Sequence, residues 1–370
     1  MMSKVGIIGI DLVNLPNLKG RVALNASGNN FGNMLFTNAA YQQVKGAEHI
    51  GFNWNPDKVN EEFSSVFIPA ANWINTKQDW GWLAELIEKT DLPCVVVGLG
   101  SQINSLADVE NIPSGTKRFL SVISERGAGV GVRGSFTADV LNSCGVKNAD
   151  VLGCPSIFSS GTSPKLREIR LDEINHVGVG PTRYVIDDVN DSNRLDKQRQ
   201  LYQYAIRHAS SIYYQSEQYE IEVLSREDGK NSDEHMKATK YYGLCDSKQL
   251  KSALLRKGKY HTSLPSWLTD VRKDDIYIGT RIHGAVAATL AGTPPILITH
   301  DNRTRELAEE MAVPSISLDN FELSYLYDLP DFVARFDYEK YQRRTDYNLK
   351  KLMQFYKRNK LENNLYLEGE

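Results

Sequence analysis

No apolar run in this chain approaches the roughly 18 residues that a helix needs to cross a membrane, so no transmembrane segment is expected. The start, MMSKVGIIGIDLVNLP, has one lysine, a short apolar run broken by Asp11 and no small-residue cleavage site, and reads as a first strand. Cysteine is scarce. Cys94, Cys144, Cys154 and Cys245 form no C-x-x-C pair and have no histidine partner nearby in sequence, which argues against a zinc cage or a secreted disulfide framework. Reduced thiols in the cytoplasm are the simpler reading. An excess of either charge is also missing: Lys+Arg 43 against Asp+Glu 46 leaves a net charge of −3, so no global field points to nucleic acid or an anionic membrane. A local basic cleft and peripheral membrane contact stay open.

What is present is an ordinary globular composition, 41% hydrophobic and 24% charged over 370 residues, which suggests two domains. Short apolar runs alternate with helical patterns and Gly-rich junctions, as βα units feeding a mostly parallel sheet do. VGIIGI, RVALNAS, SVFIPA, PCVVVGLGS, GAGVGVR and ADVLG are the expected strands of the first half, with helices over TNAAYQQVKGA, WGWLAELIEKT, TKRFLSVISERG and SFTADVLNSCG. The polar stretch SSGTSPKLREIRLDEIN precedes a fresh strand, HVGVGP, and marks a boundary. This gives an N-terminal α/β domain over 1–160, a C-terminal one over 161–336, and a basic, tyrosine-rich helix over 337–370 that could pack back across both. Two successive open sheets put a ligand crevice at the carboxyl ends of their strands, between the domains.

At one such strand end, GTRIHGAVAATLAG places Arg281 and His283 between an apolar strand and an alanine-rich helix opened by Gly284. Orphan N–H groups at the helix start, the planar guanidinium of Arg281 and the near-neutral titration of His283 suit an anionic ligand; the alternative is that both side chains only satisfy turn carbonyls. In the next loop, HDNRTRELAEEM, Asp301 is expected to cap a helix, and Arg303 and Arg305 sit in a first turn where an anion would offset the helix dipole. Arg303 is the better candidate for facing a phosphate. Arg133 in GVGVRGS and Arg183 in VGVGPTRY also end strands. On the N-terminal side, NASGNNFGNMLF and GLGSQ supply Asn30, Gly32, Asn33, Gly100, Ser101 and Gln102 as ligand-loop or plain-turn residues. The first of these stretches lacks both common phosphate-loop patterns. Trp73 could stack on a sugar. His176, His208, His235 and His261 read as structural, and no metal-ligand spacing is visible.

Taken together, TRIHGAVAATLAGTPPILITHDNRTREL, NNFGNMLF, VVVGLGSQ and GVRGSFTADVLNSCGVKNADVLGCPSIF resemble the polysaccharide pyruvyl transferase family. The resemblance implies a GT-B-like pair of Rossmann-like domains. It also implies transfer of pyruvate from phosphoenolpyruvate to two hydroxyls of a sugar, forming a ketal in cell-surface polysaccharide biosynthesis, on a sugar, oligosaccharide or lipid-linked glycan acceptor. Arg281 and His283 match the family's donor-binding and catalytic Arg and His, with Arg183 and Arg133 as further donor contacts. No cofactor beyond the donor substrate is implied. Where the family often has N-x-G-D, this chain has Asn30, Gly32 and Asn33. Such an enzyme would work in the cytoplasm, or at the inner face of the membrane. The rival readings are a glycosyltransferase using a nucleotide sugar in the same cleft, and a non-catalytic glycan-binding protein.

Overall fold

The computed structural model describes residues 3–182, 192–227, 232–244 and 246–369; Arg183 and Cys245 lie outside the described residues. The first half forms strands β1 (Val5–Ile7), β2 (Ala47–His49), β3 (Ser65–Pro69), β4 (Cys94–Leu99), β5 (Val130–Val132) and β6 (Ala149–Val151). The second forms β7 (Val177–Gly180), β8 (Ser211–Tyr213), β9 (Gly258–Lys259), β10 (Ile276–Gly279), β11 (Pro295–Thr299) and β12 (Ser315–Ser317). All pairings within these two sheets are parallel, in the orders β2-β1-β3-β4-β5-β6 and β12-β11-β10-β7-β8-β9. The expected architecture, two α/β domains of Rossmann-like type, is therefore present. Each sheet reverses its winding once, between β1 and β3 in the first and between β7 and β10 in the second. Strand ends at such switch points leave an open crevice.

β4 shows how the sequence builds the first sheet. Val95 and Val97 join the core shared with the second domain, while Cys94, Val96 and Leu99 face the opposite core, where Ile87, Phe119 and Ile123 pack from helices Gly81–Glu88 and Ser114–Arg126. A strand covered on both faces needs a continuous apolar run, which PCVVVGL provides.

RVALNAS was expected as a strand and is a helix, Gly20–Ala26. Its buried positions, Gly20, Ala23, Leu24 and Ser27, recur at helical spacing, whereas Val22 is exposed; a strand would have buried alternate residues. Helices Pro56–Glu62, Gln218–Ser225 and Leu264–Val271 and the short strands β2 and β9 also carry too little periodic signal to stand out in sequence. The C-terminal helix, Tyr338–Arg358, begins one residue after its Asp337 cap. It crosses both domains: Tyr341 Oη lies 2.9 Å from Thr289 Oγ1, while Tyr356 Oη donates to Gln43 Oε1 at 2.7 Å. Beyond it, Asn364 N donates to the Gln43 carbonyl at 2.8 Å, tying the tail to the first domain. Among the described residues no helix is long and apolar enough to cross a membrane.

Candidate active site between the two domains

A cavity of about 460 Å³ opens at both switch points. The first domain contributes Gly9 and Ile10 after β1, the loop around Gly28–Asn33, Ala71–Trp73 after β3, Gln102 after β4 and Arg133 after β5. Gln215 after β8, Thr280–His283 after β10, and His300 and Arg303 after β11 come from the second.

Arg281 is the N-cap residue of helix Ile282–Leu290 and is almost fully buried. Its Nη2 donates to Glu217 Oε1 at 2.6 Å and to Ser216 Oγ. The other carboxylate oxygen of Glu217 accepts the N–H groups of Gln215 and Ser216 at 2.9 and 3.0 Å. Burial pushes the Glu217 carboxyl up, but Arg281 and those two N–H groups outweigh it, and the group stays ionised below its ordinary range. The guanidinium is thus fixed at the strand end by a charge it does not have to share with bulk water.

His283 departs from the near-neutral titration expected of it. Burial first, then the positive charges of Arg133 and Arg281, push its imidazole down to about 3, so the ring is neutral when the cavity holds no anion. Its Nε2 lies 3.9 Å from Cys154 Sγ. On the Nδ1 side there is room only for a glycine at position 32, where a Cβ would stand 2.7 Å from Nδ1.

Arg133 reaches the same space from the opposite domain. Its Nε donates to the Gly98 carbonyl at 2.8 Å and its Nη1 to Asn72 Oδ1 at 2.7 Å. Nη2 is buried and has no hydrogen-bond partner among the described residues. Arg303 lines the cavity too, braced by Asp301 through Nε at 2.7 Å. Asp301 caps helix Asn302–Met311 as expected, accepting Thr304 N at 2.8 Å. Arg305 is exposed and lies off the cavity lining.

Gly284 does not serve as an anion donor. Its N–H donates to the Arg281 carbonyl, and its lack of a side chain makes room for the Tyr277 hydroxyl, which a Cβ at Gly180, Gly279 or Gly284 would strike. Asn30, Asn33 and Gln102 line the cavity. Gly32, Gly100 and Ser101 shape it from behind: Gly100 gives space to Asn72 and Arg133, and Ser101 is buried with its N–H on Thr137 Oγ1 at 3.1 Å.

GVGVRG, residues 129–134, leads through Arg133 into helix Ser135–Ser143, whose N-terminus would be a natural phosphate site. That place is already filled. Glu306 of the second domain accepts Thr137 N at 2.7 Å and Thr137 Oγ1 at 3.0 Å, and a Cβ on Gly134 would overlap its side chain. Part of the cavity lining is aromatic. Trp73 stacks on Trp80 with centroids 4.3 Å apart, Phe52 lies against Trp73, Phe36 packs near the His283 ring with centroids 5.7 Å apart, and Asn72, Gln78 and Gln102 supply neutral polar groups. Among the described residues no aspartate or glutamate lines this cavity, and no group of three or more His, Cys, Asp or Glu side chains could hold a metal ion.

Sequence reasoning passed over Gln215, Glu217, His300, Asn72, Phe36, Phe52 and Trp80 as site residues. The signal available was position: each follows or faces a strand end near a switch point.

Among solved structures, the chain is similar to a functionally uncharacterized protein from Klebsiella pneumoniae subsp. pneumoniae NTUH-K2044, at 10% identity and a TM-score of 0.38, covering 83% of this chain and 87% of that one. It is also similar to the glycotransferase of kitacinnamycin, at 10% identity and a TM-score of 0.34 with 96% of each chain covered. No curated protein matches the chain. The model of the polysaccharide pyruvyl transferase family, however, matches residues 30–302, from the Asn30 loop through the Arg281–His283 helix to the Asp301 cap, and the chain belongs to that family.

Proposed function

We propose that the chain transfers the pyruvyl group of phosphoenolpyruvate to two hydroxyls of one sugar, forming a cyclic ketal on a cell-surface polysaccharide or its precursor. The observation that carries this reading is the double character of the cavity lining. Arg133, Arg281 and Arg303 line it together with His283 and His300, and Phe36, Phe52, Trp73 and Trp80 line it with uncharged amides. A donor with a phosphate and a carboxylate suits the first group, and a sugar ring suits the second.

In the scheme, one acceptor hydroxyl adds to the carbon that bears the phosphate ester while the methylene carbon gains a proton and becomes a methyl group. The carbon–oxygen bond to phosphate then breaks, and the second hydroxyl takes its place. One hydroxyl proton ends in the methyl group and the other on the departing phosphate. Neutral His283 is free to accept a proton from the attacking hydroxyl. An anionic donor between Arg133 and Arg281 offsets the repulsion that holds the imidazole neutral, so the same ring can carry the proton bound for the methylene carbon. The arginines stabilise the leaving phosphate. The scheme calls for no metal or cofactor. A lipid-linked acceptor would bring the enzyme to the inner face of the membrane.

The test is thermal unfolding with phosphoenolpyruvate and, separately, with nucleotide sugars. At 100 times Kd a ligand stabilises by about 2.7 kcal/mol. A shift with phosphoenolpyruvate that is lost in Arg281→Ala, together with phosphate release in the presence of a glycan, is expected. A shift with nucleotide sugars alone, without phosphate release from phosphoenolpyruvate, would replace this reading with glycosyl transfer.

A further inference from the structure

We infer that Gln215 binds the donor, its side-chain N–H groups holding an anionic oxygen of phosphoenolpyruvate beside His283. The inference rests on phosphoenolpyruvate being the donor. Gln215 follows β8, is 1% exposed and still lines the cavity. Its backbone is fully committed: its N–H donates to Glu217 Oε2 at 2.9 Å, and its carbonyl accepts Phe31 N of the other domain at 2.8 Å. The side chain therefore projects from a point clamped by both domains.

That side chain is not similarly satisfied. Nε2 is buried and has no hydrogen-bond partner among the described residues. A Cβ at position 32 would lie 2.7 Å from His283 Nδ1 and 2.9 Å from Gln215 Oε1; one at position 284 would lie 3.1 Å from Gln215 Nε2. The amide thus sits against the first turn of helix Ile282–Leu290, next to the imidazole. A buried donor left without an acceptor costs stability, and native structures keep few of them. Here a bound ligand would supply the acceptor.

The neighbours say what kind of ligand. Arg281 and Arg133 both act on His283, so the space is positive and an anionic oxygen is the acceptor it favours. A neutral amide adds hydrogen bonds to that oxygen without adding another positive charge beside the imidazole. A lysine or arginine at 215 would bind the anion as well but would push the His283 proton off further.

Two variants test the assignment. Gln215→Met keeps the volume and removes the orphan donor; Gln215→Glu keeps the shape and adds a negative charge. The apo melting midpoint of Gln215→Met is expected to equal or exceed that of the wild type. Its affinity for phosphoenolpyruvate should fall by roughly ten- to a hundredfold, the worth of one hydrogen bond to a charged acceptor. Gln215→Glu should fold and lose the phosphoenolpyruvate shift. A lowered apo midpoint in Gln215→Met with an undiminished phosphoenolpyruvate shift would make Gln215 a structural residue and overturn the assignment. Undiminished binding in Gln215→Glu would do the same should Gln215→Met not fold. If the wild type itself shows no shift, the donor reading fails first and this assignment falls with it.

Discussion

The neutral imidazole of His283 makes the stability of the ligand-free protein depend on pH in a way that can be worked out in advance. An unfolded histidine titrates near 6.5, whereas the folded site holds His283 down to about 3. Below the unfolded value the unfolded chain binds a proton that the folded chain refuses. Stability is therefore fully present above about pH 6.5 and is lost as the pH falls toward the folded value. Each pH unit in that window costs about 1.4 kcal/mol for one proton, so going from about pH 7.5 to pH 5 removes about 2 kcal/mol through this one residue. His261 and His300 are also depressed by burial, and Asp274 is raised to about 6 by burial, so the total slope has several sources. Comparing the wild type with His283→Gln isolates the one of interest. Urea unfolding at a series of pH values should show the variant losing about 2 kcal/mol less than the wild type between those limits. Saturating phosphoenolpyruvate should flatten the wild-type curve, because the bound anion raises the imidazole. Parallel pH profiles for the two ligand-free proteins would refute the claim that His283 is buried neutral between two arginines.

Two further outcomes follow from the buried carboxylates. Glu217→Gln removes the charge that pairs with Arg281, and breaking a buried pair from one side should cost about 3–5 kcal/mol in urea unfolding near neutral pH. Because the Glu217 carboxyl is held below its ordinary range, the pair's contribution is present above the usual carboxylate pKa and disappears as the pH falls through the folded value, so wild type and variant should converge in acid. Glu306→Ala strips the acceptor from Thr137 N and Oγ1 and should destabilise by about 1–3 kcal/mol for each donor left buried. In a double-mutant cycle with Thr137→Val, strictly additive losses would show that the two side chains are not coupled.

The fold was legible where each segment carries its own pattern. PCVVVGL announces a doubly covered strand, and DIYIGT followed by RIHGAVAATLAG announces a strand, a polar junction and a helix, which is how β10, Arg281 and helix Ile282–Leu290 are arranged. Asp301 was readable as a cap from its place before TRELAEEM. Residues whose role is created by a distant segment were not readable. Glu306 looks in sequence like Glu309 and Glu310 of the same acidic stretch, yet it alone of the three reaches Thr137 across the domain boundary. Gln215 and Glu217 stand in YYQSEQ, a polar cluster after a short strand; they are buried where the Asn30 loop closes over them, as in Phe31 N to Gln215 O. The imidazole pKa of His283 was misjudged for the same reason: it is set by enclosure and by an arginine 150 positions away in the chain.

The C-terminal helix has a consequence for the order in which the molecule can be made. Every strand of the first sheet has been synthesised once Val151 has been added, but Tyr356, which packs on Phe67 with centroids 5.9 Å apart and bonds Gln43, follows roughly 200 residues later. At about 5–20 residues per second that delay is on the order of 10–40 s. During it, the face of the first domain built from Phe67 and Gln43 lacks its cover. A chain interrupted before Tyr338 would hold all twelve strands described and every described residue of the cavity lining, with that apolar face bare and open to aggregation or to a chaperone. Only a chain translated through this helix can bury it.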